Sequence, residues 1–217
     1  MKTATMGAVK TAITGGIGSG KSYVAHLLKQ RGIDVYDCDA AAKRLMRDSQ
    51  ELREQLTALI GSDCYLLPEH LDQPDTPRQQ PRLNKAAVAK FLLTSEENAH
   101  AIDAIVHPAV FRDFEESGQL WLESAILYES GADRLVDRVI VVTAPEEVRL
   151  QRVMARDGIS REKALEWMGH QWPQDEVRRR ADFEIVNDGI ADLDRQIDDF
   201  LSRYNDIMKG RHNDISK

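Results

Sequence analysis

The chain has 217 residues, with 29 Lys and Arg against 36 Asp and Glu, a formal charge of −7. That balance argues against nucleic acid as the main partner, because a phosphate backbone is held by surplus basic side chains, and it leaves a small anionic ligand open. No apolar run approaches membrane-spanning length, no apolar signal region opens the sequence, and Cys38 and Cys64 have neither a disulfide framework nor a metal-ligand spacing, so the expectation is a cytoplasmic protein with reduced thiols.

Residues 1–8 read as a short leader into an apolar, β-prone run over 9–14. Next comes Gly15-Gly16-Ile17-Gly18-Ser19-Gly20-Lys21-Ser22, which fits G-x-x-x-x-G-K-[ST]. Glycines let the backbone curl until successive N–H groups face one anion, and the following helix adds its dipole. Lys21 would reach the outer phosphates of a nucleotide and the Ser22 hydroxyl would be a Mg²⁺ ligand. Val24, Leu27 and Leu28 recur at helical spacing, and Gly32 ends that helix as a C′ residue. A second strand over 33–36 runs into Asp37-Cys38-Asp39. Strand, helix and strand make a βαβ unit with a right-handed crossover, hence a parallel sheet whose ligands bind beyond the strands' carboxyl ends.

From residue 40 to 106 the strand rhythm stops. Leu45, Leu52, Leu56, Leu59 and Ile60 predict one or two helices, broken near Asp48-Ser49. Pro68, Pro74, Pro77 and Pro81 crowd residues 65–82, which read as an exposed loop. Asn84 would cap one helix, and Thr94 with Glu97 makes a capping box for another. His107-Pro108 opens a short helix that Gly118 closes. The sheet resumes over 120–123 and 138–143. Pro145 starts a helix in which Arg149, Arg152 and Arg156 share one face, and a second helix ends near Gln171-Trp172-Pro173. A strand over 183–186, a closing helix and a polar tail from Asn205, left without structure, complete the chain.

Phosphoryl transfer needs a group that orients or deprotonates the acceptor, carboxylate support for the metal, cationic stabilisation and exclusion of water. Asp39 is the candidate base and Asp37 the candidate metal support; strand alternation would aim both the same way, and the competing role for Asp39 is to cap a helix starting at Ala40. Glu123, at the end of an apolar strand, is a candidate carboxylate behind the metal. Glu129 either faces the pocket or sits at the surface. The arginine face could clamp nucleotide phosphates, or pair with Glu146, Glu147 and Asp157 in solvent. His107 could touch substrate or act as a cap.

Taken together, the glycine loop with Thr14, Asp37-Cys38-Asp39, His107-Pro108, Ile126-Leu127-Tyr128-Glu129-Ser130-Gly131, Arg156-Asp157-Gly158 and Ala181-Asp182 followed by Asn187-Asp188-Gly189 resemble the dephospho-CoA kinase family over residues 8–201. Many P-loop kinases share the glycine loop, and few share the other elements. The resemblance implies ATP- and Mg²⁺-dependent phosphorylation of the 3′-hydroxyl of dephospho-CoA. It implies an α/β fold of the P-loop NTPase type, three-layered, with a mostly parallel sheet, an inserted helical substrate domain and a helical lid. On that pattern the core comprises 8–39, 107–145 and 182–204, the insert 40–106, the lid 146–181 and the tail 205–217. Gly16 to Tyr23 hold ATP phosphates, Asp39 matches the catalytic base, Arg152 and Arg156 match lid arginines, Asn187 lies near the adenine, and His107 and Glu129 line the acceptor side. Tyr23 stands where a second Ser or Thr is usual, Ala125 replaces a proline, Lys43 an arginine and Val177 a lysine.

Another small-molecule or nucleoside-monophosphate kinase is the nearest alternative. A GTPase-type switch is disfavoured because no Asn/Thr-Lys-x-Asp run is present. A monomer or weak homo-oligomer is expected.

Overall fold

The computed structural model describes residues 9–66 and 81–214, with residues 205–214 as backbone alone. The expected leader and most of the proline-rich loop, including Pro68, Pro74 and Pro77, lie outside the described residues. In chain order the elements begin with β1 (Thr11–Thr14), α1 (Lys21–Gln30), β2 (Tyr36–Asp37), α2 (Cys38–Asp48) and α3 (Gln50–Ile60). There follow β3 (Tyr65–Leu66), β4 (Arg82–Leu83), α4 (Lys85–Leu92) and α5 (Glu96–Ser117). The chain then forms β5 (Trp121–Glu123), β6 (Arg138–Thr143), α6 (Glu146–Asp157), α7 (Arg161–Gly169), α8 (Gln174–Arg180), β7 (Phe183–Val186) and α9 (Leu193–Asp214). Two compact units emerge: residues up to 37 with those from 118 onward, and residues 38–117.

In the first unit five strands pair in the order β2-β5-β1-β6-β7, every pair parallel. The βαβ crossover from β1 to β2 therefore skips a position, which β5 fills. All four residues of β1 are buried, as the central strand of a sheet covered on both faces requires. Ile13, Ile140, Val142 and Ile185 line up across β1, β6 and β7 and bury against Val24, Leu27 and Leu28 of α1 and Ile197 and Phe200 of α9. Each such side chain stabilises the fold by about 1.5–3 kcal/mol through removal from water. Gly32, at φ +80°, closes α1, with the Ile33 amide donating back to Leu28. Arg31 then pins that end to Asp194 and Asp198 of α9 at 2.7 and 2.8 Å. α9 stays helical through Asp214, where the sequence left residues from Asn205 without regular structure.

In the second unit α5 packs against α2 and α3, and β3 and β4 form a two-residue antiparallel ladder. Ser49 caps α3 by accepting from the Leu52 amide, and Asn84 caps α4 through Ala87. Ser95, not Thr94, caps α5 by accepting from Asn98; the Thr94 hydroxyl donates back to the Lys90 carbonyl. The expected break at His107-Pro108 does not occur, because α5 runs through Pro108. A proline inside a helix costs about 3 kcal/mol or more. Val106, Ala109, Val110, Phe111 and Phe114 are buried around it and hold the helix continuous.

Candidate active site

The glycine loop joins β1 to α1 in the first unit. Gly15, Gly18 and Gly20 have φ of 144°, 79° and 93°, a region that side-chain-bearing residues avoid. The Ser19 amide turns back to the Gly16 carbonyl at 3.1 Å, and Lys21 Nζ reaches the same carbonyl at 3.3 Å. Ser19 is fully buried and Lys21 is buried at the start of α1. Among the described residues the amides of Gly18, Gly20 and Ser22 make no hydrogen bond, which leaves them for an anion. Tyr23, expected in the cradle, turns its ring to solvent and gives its amide to the Gly20 carbonyl at 3.1 Å. It belongs to the first turn of the helix, one step beyond the loop's curl.

The Ser22 hydroxyl donates to Glu123 Oε1 at 2.8 Å. Asp37 is the register partner of Glu123 across β2 and β5, so two carboxylates and a hydroxyl gather at the carboxyl ends of adjacent strands. These hard oxygen donors suit Mg²⁺, which takes one or two carboxylates and completes its shell with water and phosphate. Asp39 departs from the expected geometry. β2 ends at Asp37 and α2 begins at Cys38, so Asp39 is the second residue of a helix in the second unit. It is neither aligned with Asp37 by strand alternation nor the residue that precedes a helix at Ala40. On α5 of that unit, His107 sits mid-helix, 3.5 Å from Asp103 and stacked on Phe111, which removes the capping alternative.

The three arginines of α6 diverge. Arg156 pairs with the neighbouring Asp157 at 2.7 Å, a contact that raises the guanidinium's pKa and lowers the carboxyl's. Arg152 turns to the loop, donating to the carbonyls of Gly18, Ser19 and Asn187 at 3.4, 3.5 and 3.0 Å. Asn187 is buried just past β7 and donates to the Ser19 carbonyl at 2.8 Å. A Cβ on Gly20 would lie 2.1 Å from the Asn187 amide nitrogen, so that glycine is demanded by contact as well as by φ. Arg149 is buried against Gly16.

One anchor was not picked out from the sequence. Gln171, between α7 and α8, accepts from the Ile17 amide at 2.7 Å and donates to the Ala125 carbonyl at 3.0 Å. Ile17, expected to offer its amide to phosphate, is thus held by a side chain 154 residues away, and it packs beside Leu150 and Val153 of α6 and Ala164 of α7. Next to it, Glu129 accepts from the Trp172 amide at 2.9 Å. The Trp172 ring stacks on Tyr128 at 5.7 Å with Arg180 above it at 4.5 Å. Glu129 therefore fastens the α7–α8 connection within the first unit.

A model of the dephospho-CoA kinase family matches residues 9–192. A dephospho-CoA kinase from Bacteroides fragilis is 35% identical over 197 residues, covering 88% of this chain and 90% of its own length. One from Porphyromonas gingivalis is 38% identical over 186 residues, covering 82% and 86%. The crystal structure of TT1252 from Thermus thermophilus superimposes with a TM-score of 0.72 at 32% identity, over 90% of this chain and 97% of that one. With five parallel strands, the glycine loop and these matches, the chain belongs to the dephospho-CoA kinase family, α/β enzymes of the P-loop kinase fold.

Proposed function

We propose that the protein transfers the γ-phosphoryl group of ATP to the 3′-hydroxyl of dephospho-CoA, giving coenzyme A and ADP. The observation that carries the donor half is the loop itself: inward glycines, buried Lys21, and Ser22 bonded to Glu123 at the carboxyl edge of the sheet. Family membership carries the acceptor. The amides of Gly18, Gly20 and Ser22 hold the phosphates, Lys21 draws charge off the outer ones, and Arg152 and Asn187 keep the loop in shape while lining the nucleoside side. Arg156 leaves Asp157 for the phosphates when nucleotide is bound. Ser22 and Asp37, backed by Glu123, would hold Mg²⁺, which supplies charge neutralisation across the outer phosphates when present.

Asp39 takes the proton of the acceptor hydroxyl, supported by its match to the family's base and its place two residues beyond Asp37. His107 and Glu129 belong to the acceptor side, with residues 40–106 as the acceptor-binding insert and 146–181 as the lid. The protein acts in the cytoplasm as a monomer or weak homo-oligomer; among the described residues no helix is long and apolar enough to cross a membrane. A coupled ADP-release assay compares dephospho-CoA with nucleoside monophosphates. Turnover confined to dephospho-CoA is expected, and turnover no higher than buffer would overturn the reading.

A further inference from the structure

The loop carries two glycines beyond its consensus, Gly16 and Gly18, and both meet the same residue. A Cβ on Gly16 would lie 2.4 Å from Arg149 Nη1, and a Cβ on Gly18 would lie 2.5 Å from the Arg149 carbonyl oxygen. Arg149 thus occupies the space that side chains at these positions would fill.

Its guanidinium is unusual in what it lacks. Arg149 has a relative exposure of 9%, and its Nε is fully buried without a hydrogen-bond partner. Among the described residues its side chain makes no hydrogen bond or ion pair. Burial pushes its pKa down, opposed by the charge of Glu146. The contrast with its helix neighbours is direct, since Arg152 is satisfied by carbonyls and Arg156 by Asp157. An arginine stays charged in proteins, and a buried charge without a partner is strongly unfavourable. A ligand that brings negative charge to this spot removes the penalty.

We propose that Arg149 is a ligand for the terminal phosphoryl group of the nucleotide donor. The assignment to the outer phosphate follows from Gly16, which Arg149 abuts and whose carbonyl holds Lys21 Nζ at 3.3 Å. Lys21 is the residue that reaches the outer phosphates. Arg149 and Lys21 therefore flank one loop residue, as two cations converging on one end of the triphosphate. The planar guanidinium fork can donate two parallel bonds to a phosphoryl group. This deepens the proposed function and rests on ATP as the donor.

The test is calorimetric titration of ATP and AMP into wild-type protein, Arg149→Met and Arg149→Lys, with no acceptor present. Arg149→Met is expected to weaken ATP about 10–100-fold, the range for a lost charged hydrogen bond, and to leave AMP within about twofold. Arg149→Lys, which keeps the charge and loses the fork, should fall between. The melting temperature of nucleotide-free Arg149→Met should equal or exceed that of wild type, because the uncompensated charge is gone. Equal losses for ATP and AMP, or undiminished ATP binding, would overturn the assignment and reduce Arg149 to loop packing; if Arg149→Met does not fold, the ATP-to-AMP ratio of Arg149→Lys decides alone. Because no acceptor is present, failure to turn over dephospho-CoA would bear on the proposed function and not on this result.

Discussion

Asn187 Nδ2 donates a 2.8 Å hydrogen bond to the Ser19 carbonyl, tying the end of β7 to the middle of the glycine loop across 168 residues of sequence. Arg152 bridges the same two residues through their carbonyls. The loop's curvature is thus fixed by side chains from later strands and helices, as well as by its glycines.

Asn187→Ala removes the shorter of two bonds to the Ser19 carbonyl and leaves it only the 3.5 Å contact from Arg152. The expected cost is about 1–3 kcal/mol of stability, together with weaker ATP binding. Urea denaturation and nucleotide titration check both. A loss below about 0.5 kcal/mol, the range of a neutral surface change, would mean that the bond contributes little.

Arg152→Ala and Arg156→Ala should separate. Arg152 supports the loop, so its removal should lower both the unfolding midpoint and ATP affinity. Arg156 is held by an exposed partner, and such pairs contribute little to stability. Its removal should leave the unfolding midpoint unchanged while reducing kcat/KM for ATP about 10–100-fold, since a charged phosphate contact contributes on the order of 1.5–3 kcal/mol. Identical behaviour of the two variants in both measurements would refute the division of roles.

Asp39→Asn should reduce kcat by ~10²-fold or more, the usual contribution of a general base, with ATP affinity unchanged. Steady-state kinetics alongside direct ATP titration check this. An unaltered kcat would return Asp39 to a purely structural place in the first turn of α2.

Alkaline pH probes two buried phenols. Burial pushes Tyr65 and Tyr128 up to about 12, with nearby acidic groups adding to it in each case. A phenol whose pKa is raised in the folded state gives stability that is fully present below its unfolded value near 10 and is lost as pH rises to about 12. Urea midpoints across that window should fall less steeply for Tyr65→Phe and Tyr128→Phe than for wild type. At neutral pH the two variants should diverge. Tyr65 donates to the Met46 carbonyl at 2.7 Å, whereas the buried Tyr128 hydroxyl has no partner among the described residues, so only Tyr65→Phe loses stability.

Local chemistry made much of the fold legible. The β-branched run at β6, the helix break at Asp48-Ser49, the cap Asn84 and Gly32 after α1 act within a few residues, so spacing alone reveals them. The loop was legible because glycine spacing encodes its positive φ angles. His107-Pro108 misled because packing around α5 overrides the local cost of proline. Asp39 misled because β2 ends two residues before it, at Asp37, so strand alternation does not reach it. Gln171 and the burial of Arg149 had no local signal, since each is defined by contact with a loop more than a hundred positions earlier.

The strand order also has a consequence for synthesis. Among the described residues β1, which supports the loop, pairs only with β5 and β6, encoded at residues 121–123 and 138–143. A chain emerging from the ribosome therefore carries an apolar strand with both edges open until residue 123 has appeared and with one edge open until residue 143 has. Until then that strand is exposed to pairing with other nascent chains, and the loop cannot take its final shape.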